Sequence, residues 1–229
     1  MPPLVTAVRR ALRDAADPVK APQMQAYMKS SMPYRGVSAP EQKRLWRDIF
    51  AAHSLDTAAA WRDAVLELWR EAGFREERYA AIALASHKRY AVYRTMTALP
   101  LFEELIVTGA WWDYVDPIAT RPLGELLRTY PVRMKRLLRR WARADDMWQR
   151  RAAILAQLHF KHETDLALLY DCIEPNLDSR EFFLRKAIGW ALRQHAWTDA
   201  REVQRYVHAH RDRLSPLSVR EALKNVGPG

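Results

Sequence analysis

The sequence predicts an all-α fold, and three observations predict it. Apolar residues recur at helical spacing from one end of the chain to the other, with little strand-like alternation and only seven glycines to interrupt them. Pro100, Pro131, Pro175 and Pro216 punctuate the second half as breaks between helices do. Inside those helices an arginine followed by small and apolar residues keeps returning: Arg78-Tyr79-Ala80-Ala81, Arg151-Ala152-Ala153-Ile154, Arg185-Lys186-Ala187-Ile188 and Arg220-Glu221-Ala222-Leu223. The successive gaps are 73, 34 and 35 residues, so the first equals about two of the others. A period of this length means stacked helical hairpins in a superhelical solenoid, each hairpin burying its apolar face on the next.

Taken in order, Leu4, Val5, Val8 and Leu12 stripe a first helix that stops near Asp17-Pro18. Met24, Tyr27 and Met28 mark a second, short one. Met32 to Pro40, with Pro33, Gly36 and Pro40, reads as a rigid turn. Ala39-Pro40-Glu41 opens a helix that carries Leu45, Trp46, Ile49 and Phe50, and further helices are expected over 58–72, 76–88 and 90–99. The chain is organised as a single repeat domain, 1–229, with N-terminal helices and turn in 1–50 and helical repeats in 51–229. The Trp, Leu-Gly, Tyr and Pro pattern of tetratricopeptide repeats is missing, and an arginine in the second helix of each hairpin suits a HEAT-like array better. The second helices of such an array line its concave surface.

Half of the long gap places a missing repeat member near position 115, where the chain reads Asp116-Pro117-Ile118-Ala119. A carboxylate thus stands where the other copies hold arginine. Trp112 and Asp116, four residues apart, share a helix face, while Trp111, Val115 and Ile118 fall on the neighbouring apolar stripe and read as core. Asp-Pro is also an N-cap followed by the first helical residue. The repeat alignment instead sets Asp116 inside a helix kinked at Pro117, and it is the reading preferred here. Asp116, Arg151 and Arg185 would then stand side by side across adjacent repeats, facing one groove.

Thirty-seven Lys+Arg against 27 Asp+Glu leave a net charge of +10, which favours a polyanionic partner, nucleic acid before acidic membrane. Arg133, Lys135, Arg136, Arg139, Arg140 and Arg143 crowd one segment, and Arg136, Arg139, Arg140 and Arg143 share a cationic helix face suited to phosphate contact. Cys172 is the only cysteine, so no internal disulfide can form and a reducing, cytoplasmic setting is expected. No uncharged run approaches a membrane span, and Met1-Pro2-Pro3 ahead of Arg9 and Arg10 is not a signal peptide. There is no phosphate-cradling glycine loop, Cys-x-x-Cys or Gly-x-Ser-x-Gly, and His159 and His162 stand three apart with no further ligand in view. Neither a metal nor a cofactor is expected.

Three ordered motifs carry a resemblance: Trp-Trp-Asp-Tyr-Val-Asp at 111–116, Trp-Gln-Arg-Arg-Ala-Ala-Ile at 148–154, and Phe-Phe-Leu-Arg-Lys-Ala-Ile-Gly-Trp-Ala-Leu-Arg at 182–193. With Tyr27-Met28-Lys29 and the turn from Pro33 to Pro40, nearly the whole chain resembles the AlkD-like DNA alkylation-repair glycosylases. The resemblance implies a HEAT-like solenoid gripping duplex DNA in a basic concave groove. It implies hydrolysis of the N-glycosidic bond of N3- and N7-alkylated purines, with the base left in or near the stack. By motif position Asp116 would be the catalytic carboxylate, Trp112 and Trp190 the aromatic pair flanking the damaged nucleotide, and Arg151 the arginine beside them. Further DNA contacts would fall to Tyr27, Ser38, Arg150, Arg185 and Arg193, joined by Arg136 and Arg140 of the cationic helix. One departure stands in the turn, where Gly36-Val37-Ser38 replaces the Gly-Ile-Gln frequent in the family.

The chemistry is consistent with those residues. Glycosidic hydrolysis passes through an oxocarbenium-like sugar, and most glycosidases need a second carboxyl to protonate the leaving group. A cationic alkylpurine leaves neutral, so one carboxylate suffices to stabilise the sugar and activate water. The indoles would add about 0.5–2 kcal/mol each through cation–π contact, and Arg151 would hold the flanking phosphate. No lysine nucleophile is positioned by motif, so hydrolysis without strand cleavage is expected, by a monomer. Two other classes stay open: a non-catalytic binder of damaged or branched DNA, favoured by a buried, capping Asp116, and a protein-binding helical scaffold, favoured by a neutral or acidic groove.

Overall fold

A computed structural model describes residues 2–226, with fourteen α-helices and no strand among them. The chain divides into two compact units, Met1–Leu101 and Phe102–Gly229. Among the described residues no helix is long and apolar enough to cross a membrane.

The first unit contains α1 (Pro3–Asp14), α2 (Lys20–Met28), α3 (Ala39–Ala52), α4 (Ala58–Arg70) and α5 (Arg75–Ala85). The stripe Leu4, Val5, Val8 and Leu12 is buried, as the periodicity predicts. Thr57 starts α4 by accepting the Ala60 N–H at 3.1 Å. Trp61 lies in the core and disposes of its indole N–H on the Leu84 carbonyl at 3.2 Å. The predicted turn is held from below by Glu76, a fully buried carboxylate at the start of α5. It accepts the backbone N–H groups of Arg35 at 3.0 Å, Gly36 at 2.9 Å and Val37 at 3.2 Å. Gly36 sits at φ +83°, where a Cβ would come 2.1 Å from the Asp17 carbonyl oxygen. Only glycine fits there.

The helix expected over 90–99 does not form. Residues Lys88–Tyr93 and Met96–Ala98 make short 3₁₀ turns instead, and 76–88 ends early at Ala85. Side chains outcompete the helix here: His87 Nδ1 accepts the Arg89 N–H at 3.3 Å, and Thr95 Oγ1 accepts that of Thr97 at 3.4 Å. Buried Arg94 then closes the loop by donating to the His87 carbonyl at 2.8 Å. α6 (Leu99–Gly109) follows, with Pro100 in its first turn.

The second unit contains α7 (Trp112–Ile118), α8 (Gly124–Thr129), α9 (Pro131–Trp141), α10 (Met147–Leu155), α11 (Leu166–Ile173), α12 (Phe182–Ala196), α13 (Ala200–Ala209) and α14 (Pro216–Ala222). Asp146, Asp165, Asp199 and Ser215 cap α10, α11, α13 and α14 through their side-chain oxygens. Two layers result. In one, α9, α11 and α13 are linked by Lys135–Asp165 and Arg139–Asp171, both at 2.6 Å, and by the Tyr170 ring stacked on Tyr206. In the other, α7, α10, α12 and α14 lie in sequence. Asp116, Arg151, Arg185 and Arg220 each occupy the fourth or fifth residue of a helix in that layer, so the repeat read from the sequence is a structural one. Gly189 lets α12 and α14 touch: a Cβ there would lie 2.4 Å from Glu221 Cβ and 2.9 Å from the Ser218 carbonyl oxygen. Cys172 is fully buried beneath α11, and burial pushes its thiol up to about 12, leaving it inert as a nucleophile.

Candidate functional site

Trp111 sets the start of α7. Its backbone is extended, and its carbonyl accepts the Tyr114 N–H at 3.2 Å and the Val115 N–H at 3.0 Å. Tyr114, Val115 and Ile118 face the core, which leaves Trp112 and Asp116 one turn apart on a shared side of α7. Pro117 lies inside the helix and cannot donate to the carbonyl four residues back. The following turn, Ala119–Leu123, widens to a π-turn that contains Pro122, and Thr120 Oγ1 donates to the Asp116 carbonyl at 2.8 Å. The alignment that placed Asp116 within a helix is therefore correct, and the capping alternative is not: its carboxylate accepts no backbone N–H.

The carboxylate faces Arg151 on α10. Arg151 Nε donates to Asp116 Oδ1 at 2.7 Å and Nη2 to Oδ2 at 2.8 Å, a bidentate pair. Nη1 donates to the Phe183 carbonyl of α12 at 2.5 Å, so one side chain ties three successive helices of the layer together. The pair is deep, with the arginine side chain 5% exposed and the aspartate 12%. Burial raises the Asp116 pKa above the ordinary carboxylate value; the Arg151 guanidinium opposes that shift, and the Asp113 carboxylate adds to it.

Aromatic rings wall the arginine. Phe183 lies edge-on to Trp111 at 5.3 Å and tilted on Trp148 at 5.1 Å, with the Arg151 guanidinium 5.9 Å from its centroid. Trp111, expected as core, is only half-buried and belongs to this wall, and its indole Nε1 has no hydrogen-bond partner. Trp112 and Trp190 are both half-buried. Trp190 stands seven residues beyond Phe183 on α12, two turns along the same face. Phe183 and Trp148 lay within the sequence motifs but received no role there, because aromatic residues at helical spacing look like core.

The other expected residues disperse. The row of Asp116, Arg151 and Arg185 breaks at its third member, since Arg185 Nε donates to the Ser179 carbonyl of its own preceding loop at 2.8 Å. Arg193 is committed to Glu221, which also takes Lys186 at 2.9 Å; these cations hold the Glu221 carboxyl below its usual range. Arg150, half-buried and next to Arg151 in the chain, has a buried Nε with no hydrogen-bond partner among the described residues. Arg136 and Arg140 project from α9, in the layer that does not contain Asp116. In the first unit Tyr27 is 79% exposed on α2. Ser38 occupies the N-cap position of α3, where its side chain makes no capping bond and its carbonyl accepts the Gln42 N–H at 2.8 Å. Among the described residues no group of three or more His, Cys, Asp or Glu could hold a metal ion. His159 and His162 are exposed on either side of Phe160, whose ring lies under Arg128.

A family model described as DNA alkylation repair enzyme matches residues 8–226. The chain belongs to the DNA alkylation repair enzyme family. Among solved structures, the chain is similar to a predicted DNA alkylation repair enzyme from Enterococcus faecalis, 28% identical over 93% of this chain and 98% of that one, with a TM-score of 0.81. No curated protein matches it significantly. Membership of the DNA alkylation repair family gives the protein a role in alkylation repair and DNA as its partner. It also fits the basic surplus of the chain.

Proposed function

We propose that the protein is a monofunctional DNA glycosylase with a HEAT-like architecture, excising cationic N3- and N7-alkylated purines from duplex DNA as a monomer. The observation that carries this reading is the Asp116 carboxylate, mostly buried and oriented through both oxygens by Arg151, one helical turn from a half-buried Trp112. In the reaction a water adds to the sugar C1′ as the C1′–N bond breaks. The electron pair of that bond stays on the purine nitrogen and cancels its positive charge, so the base leaves neutral. The proton of the water passes to Asp116 and on to solvent. The carboxylate also stabilises the cationic sugar in the transition state, and Trp112 and Trp190 offer it their ring faces.

The structure modifies the role the resemblance gave Arg151. Three of its five N–H groups are spent on Asp116 and Phe183. Arg151 therefore acts first as a positioning residue for the carboxylate, and half-buried Arg150, next to it in the chain, is the cation proposed for the flanking phosphate. Tyr27 and Ser38 retain their proposed places as DNA contacts, Ser38 with a shorter reach than glutamine has.

A second reading rests on the depth of Asp116. A carboxylate locked in a buried ion pair also fits a protein that binds damaged DNA without cutting the glycosidic bond. Release of free 7-methylguanine and 3-methyladenine from methylated duplex, measured for wild type and Asp116→Asn alongside DNA affinity, separates the two. Release that collapses in the variant while binding persists supports excision. Binding by wild type with no release of methylated or bulky adducts supports the binder.

A further inference from the structure

The helix α9 carries two kinds of cation. Lys135 and Arg139 are paired with Asp165 and Asp171, which join α9 to α11. Arg133, Arg136 and Arg140 of α9, with Arg143 in the turn just past the helix end, are exposed and form no ion pair among the described residues; the Arg143 side chain donates to the Arg139 carbonyl at 3.2 Å. The spacing of three and four residues lines Arg133, Arg136 and Arg140 along one side of the helix, and Arg143 follows them. At about 1.5 Å of rise per residue the helical part of the row is about 10 Å long. The opposite side of α9 buries Met134, Leu137, Leu138 and Trp141. The row therefore looks away from the core of the unit and from the layer that holds Asp116 and Arg151.

Like charges one turn apart repel, and the segment from Pro131 to Ala144 contains no acidic residue to relieve them. All four are arginine, whose planar fork matches phosphate oxygens better than an ammonium does. Phosphates along one DNA strand advance by about 3.4 Å per nucleotide along the duplex axis and lie further apart through space, so the row meets roughly two or three of them. We propose that the α9 arginine row is a second binding surface for the backbone of duplex DNA, engaging a stretch other than the one that reaches the Asp116–Arg151 pair. The proposal rests on DNA being the partner and is independent of the excision chemistry.

The test uses undamaged duplex of 10 base pairs, too short to serve both surfaces, and counts duplexes per protein by analytical ultracentrifugation. Wild type is expected to take two at low salt, and a variant with Arg133, Arg136, Arg140 and Arg143 all changed to Gln only one. The corresponding four-lysine variant should recover the second. With two or three phosphate contacts, the affinity for the second duplex should fall roughly 10- to 40-fold between 50 and 200 mM salt. Unchanged thermal unfolding of the variants shows that the fold is kept. A wild type that saturates at one duplex overturns the assignment, and so does a glutamine variant that still takes two. Binding of the row to vesicles of anionic lipid, with no second duplex, also overturns it.

Discussion

Arg151 grips both oxygens of the Asp116 carboxylate, through Nε at 2.7 Å and Nη2 at 2.8 Å, where the two side chains are 5% and 12% exposed. Removing one partner of a buried pair strands the other and typically costs about 3–5 kcal/mol, whereas replacing both with apolar groups is often neutral. Asp116→Leu alone should therefore lose stability in urea unfolding by about that amount. The double variant Asp116→Leu with Arg151→Met should recover most of it while remaining inactive. A double variant as unstable as the single one would show that the pair holds the three helices together by its own attraction.

If Asp116 works as proposed, its raised pKa sets the acid limb of activity. The proposed reaction needs the carboxylate, so the rate should fall as pH drops through the raised pKa, above the ordinary carboxylate value of 3.8. Arg151 pulls that pKa down, so Arg151→Met should move the limb to higher pH as well as lower the rate. Single-turnover base release against pH checks both. An unmoved limb in the variant would mean that Arg151 does not position or tune Asp116.

Gly36→Ala should be severe although the residue lies in a turn and not within a helix. Its φ of +83° is strained for alanine, and the new Cβ would stand 2.1 Å from the Asp17 carbonyl oxygen. Left-handed strain and overpacking together should cost about 3 kcal/mol or more. Glu76→Gln, which leaves one acceptor oxygen for the N–H groups of residues 35–37, should loosen the same turn by about 1–3 kcal/mol. Thermal unfolding measures both, and a Gly36→Ala protein of wild-type stability would refute the geometry of the turn.

Gly189→Ala probes the attachment of Trp190. The added methyl would press on Glu221 Cβ at 2.4 Å and on the Ser218 carbonyl. Separation of α12 from α14 should cost about 1–3 kcal/mol. The adjacent indole would shift with its helix, so single-turnover base release should weaken at temperatures where the variant is still folded. Stability lost with the rate intact would remove Trp190 from the site.

What the sequence revealed was local or periodic. Four-residue spacing was enough to put Trp112 beside Asp116, and the repeat register was enough to reject a cap at Asp-Pro. Partners many residues apart were harder to read. Nothing in the chain says that Arg151 reaches back to Asp116 while Arg185, its repeat equivalent, turns to Ser179, because the two differ in what the neighbouring helix presents. Glu76 drew no reading of its own from the sequence, because its role depends on a turn some forty residues earlier. The segment 90–99 satisfied the helical spacing and lost to side-chain bonds from His87 and Thr95 that apolar periodicity does not register. Of the four arginines read as one cationic helix face, Arg136 and Arg140 are exposed on α9, whereas Arg139 is tied to Asp171 and Arg143 lies past the helix end; the layer that carries them emerges only from the packing of α9 on its neighbours.

Packing of α7, α10 and α12 leaves the Asp116 side chain only 12% exposed. Under the proposed reaction, the damaged nucleotide meets a carboxylate that folding has already largely desolvated, and the attacking water reaches it through the edge that stays open. In such surroundings a positive charge about 6 Å away, at an effective dielectric near 20, is worth roughly 3 kcal/mol before Arg151 offsets part of it. A normal purine brings no such charge. The protein would thus sort bases by their electrons and not by their outlines, and the size of the adduct would be left free to vary.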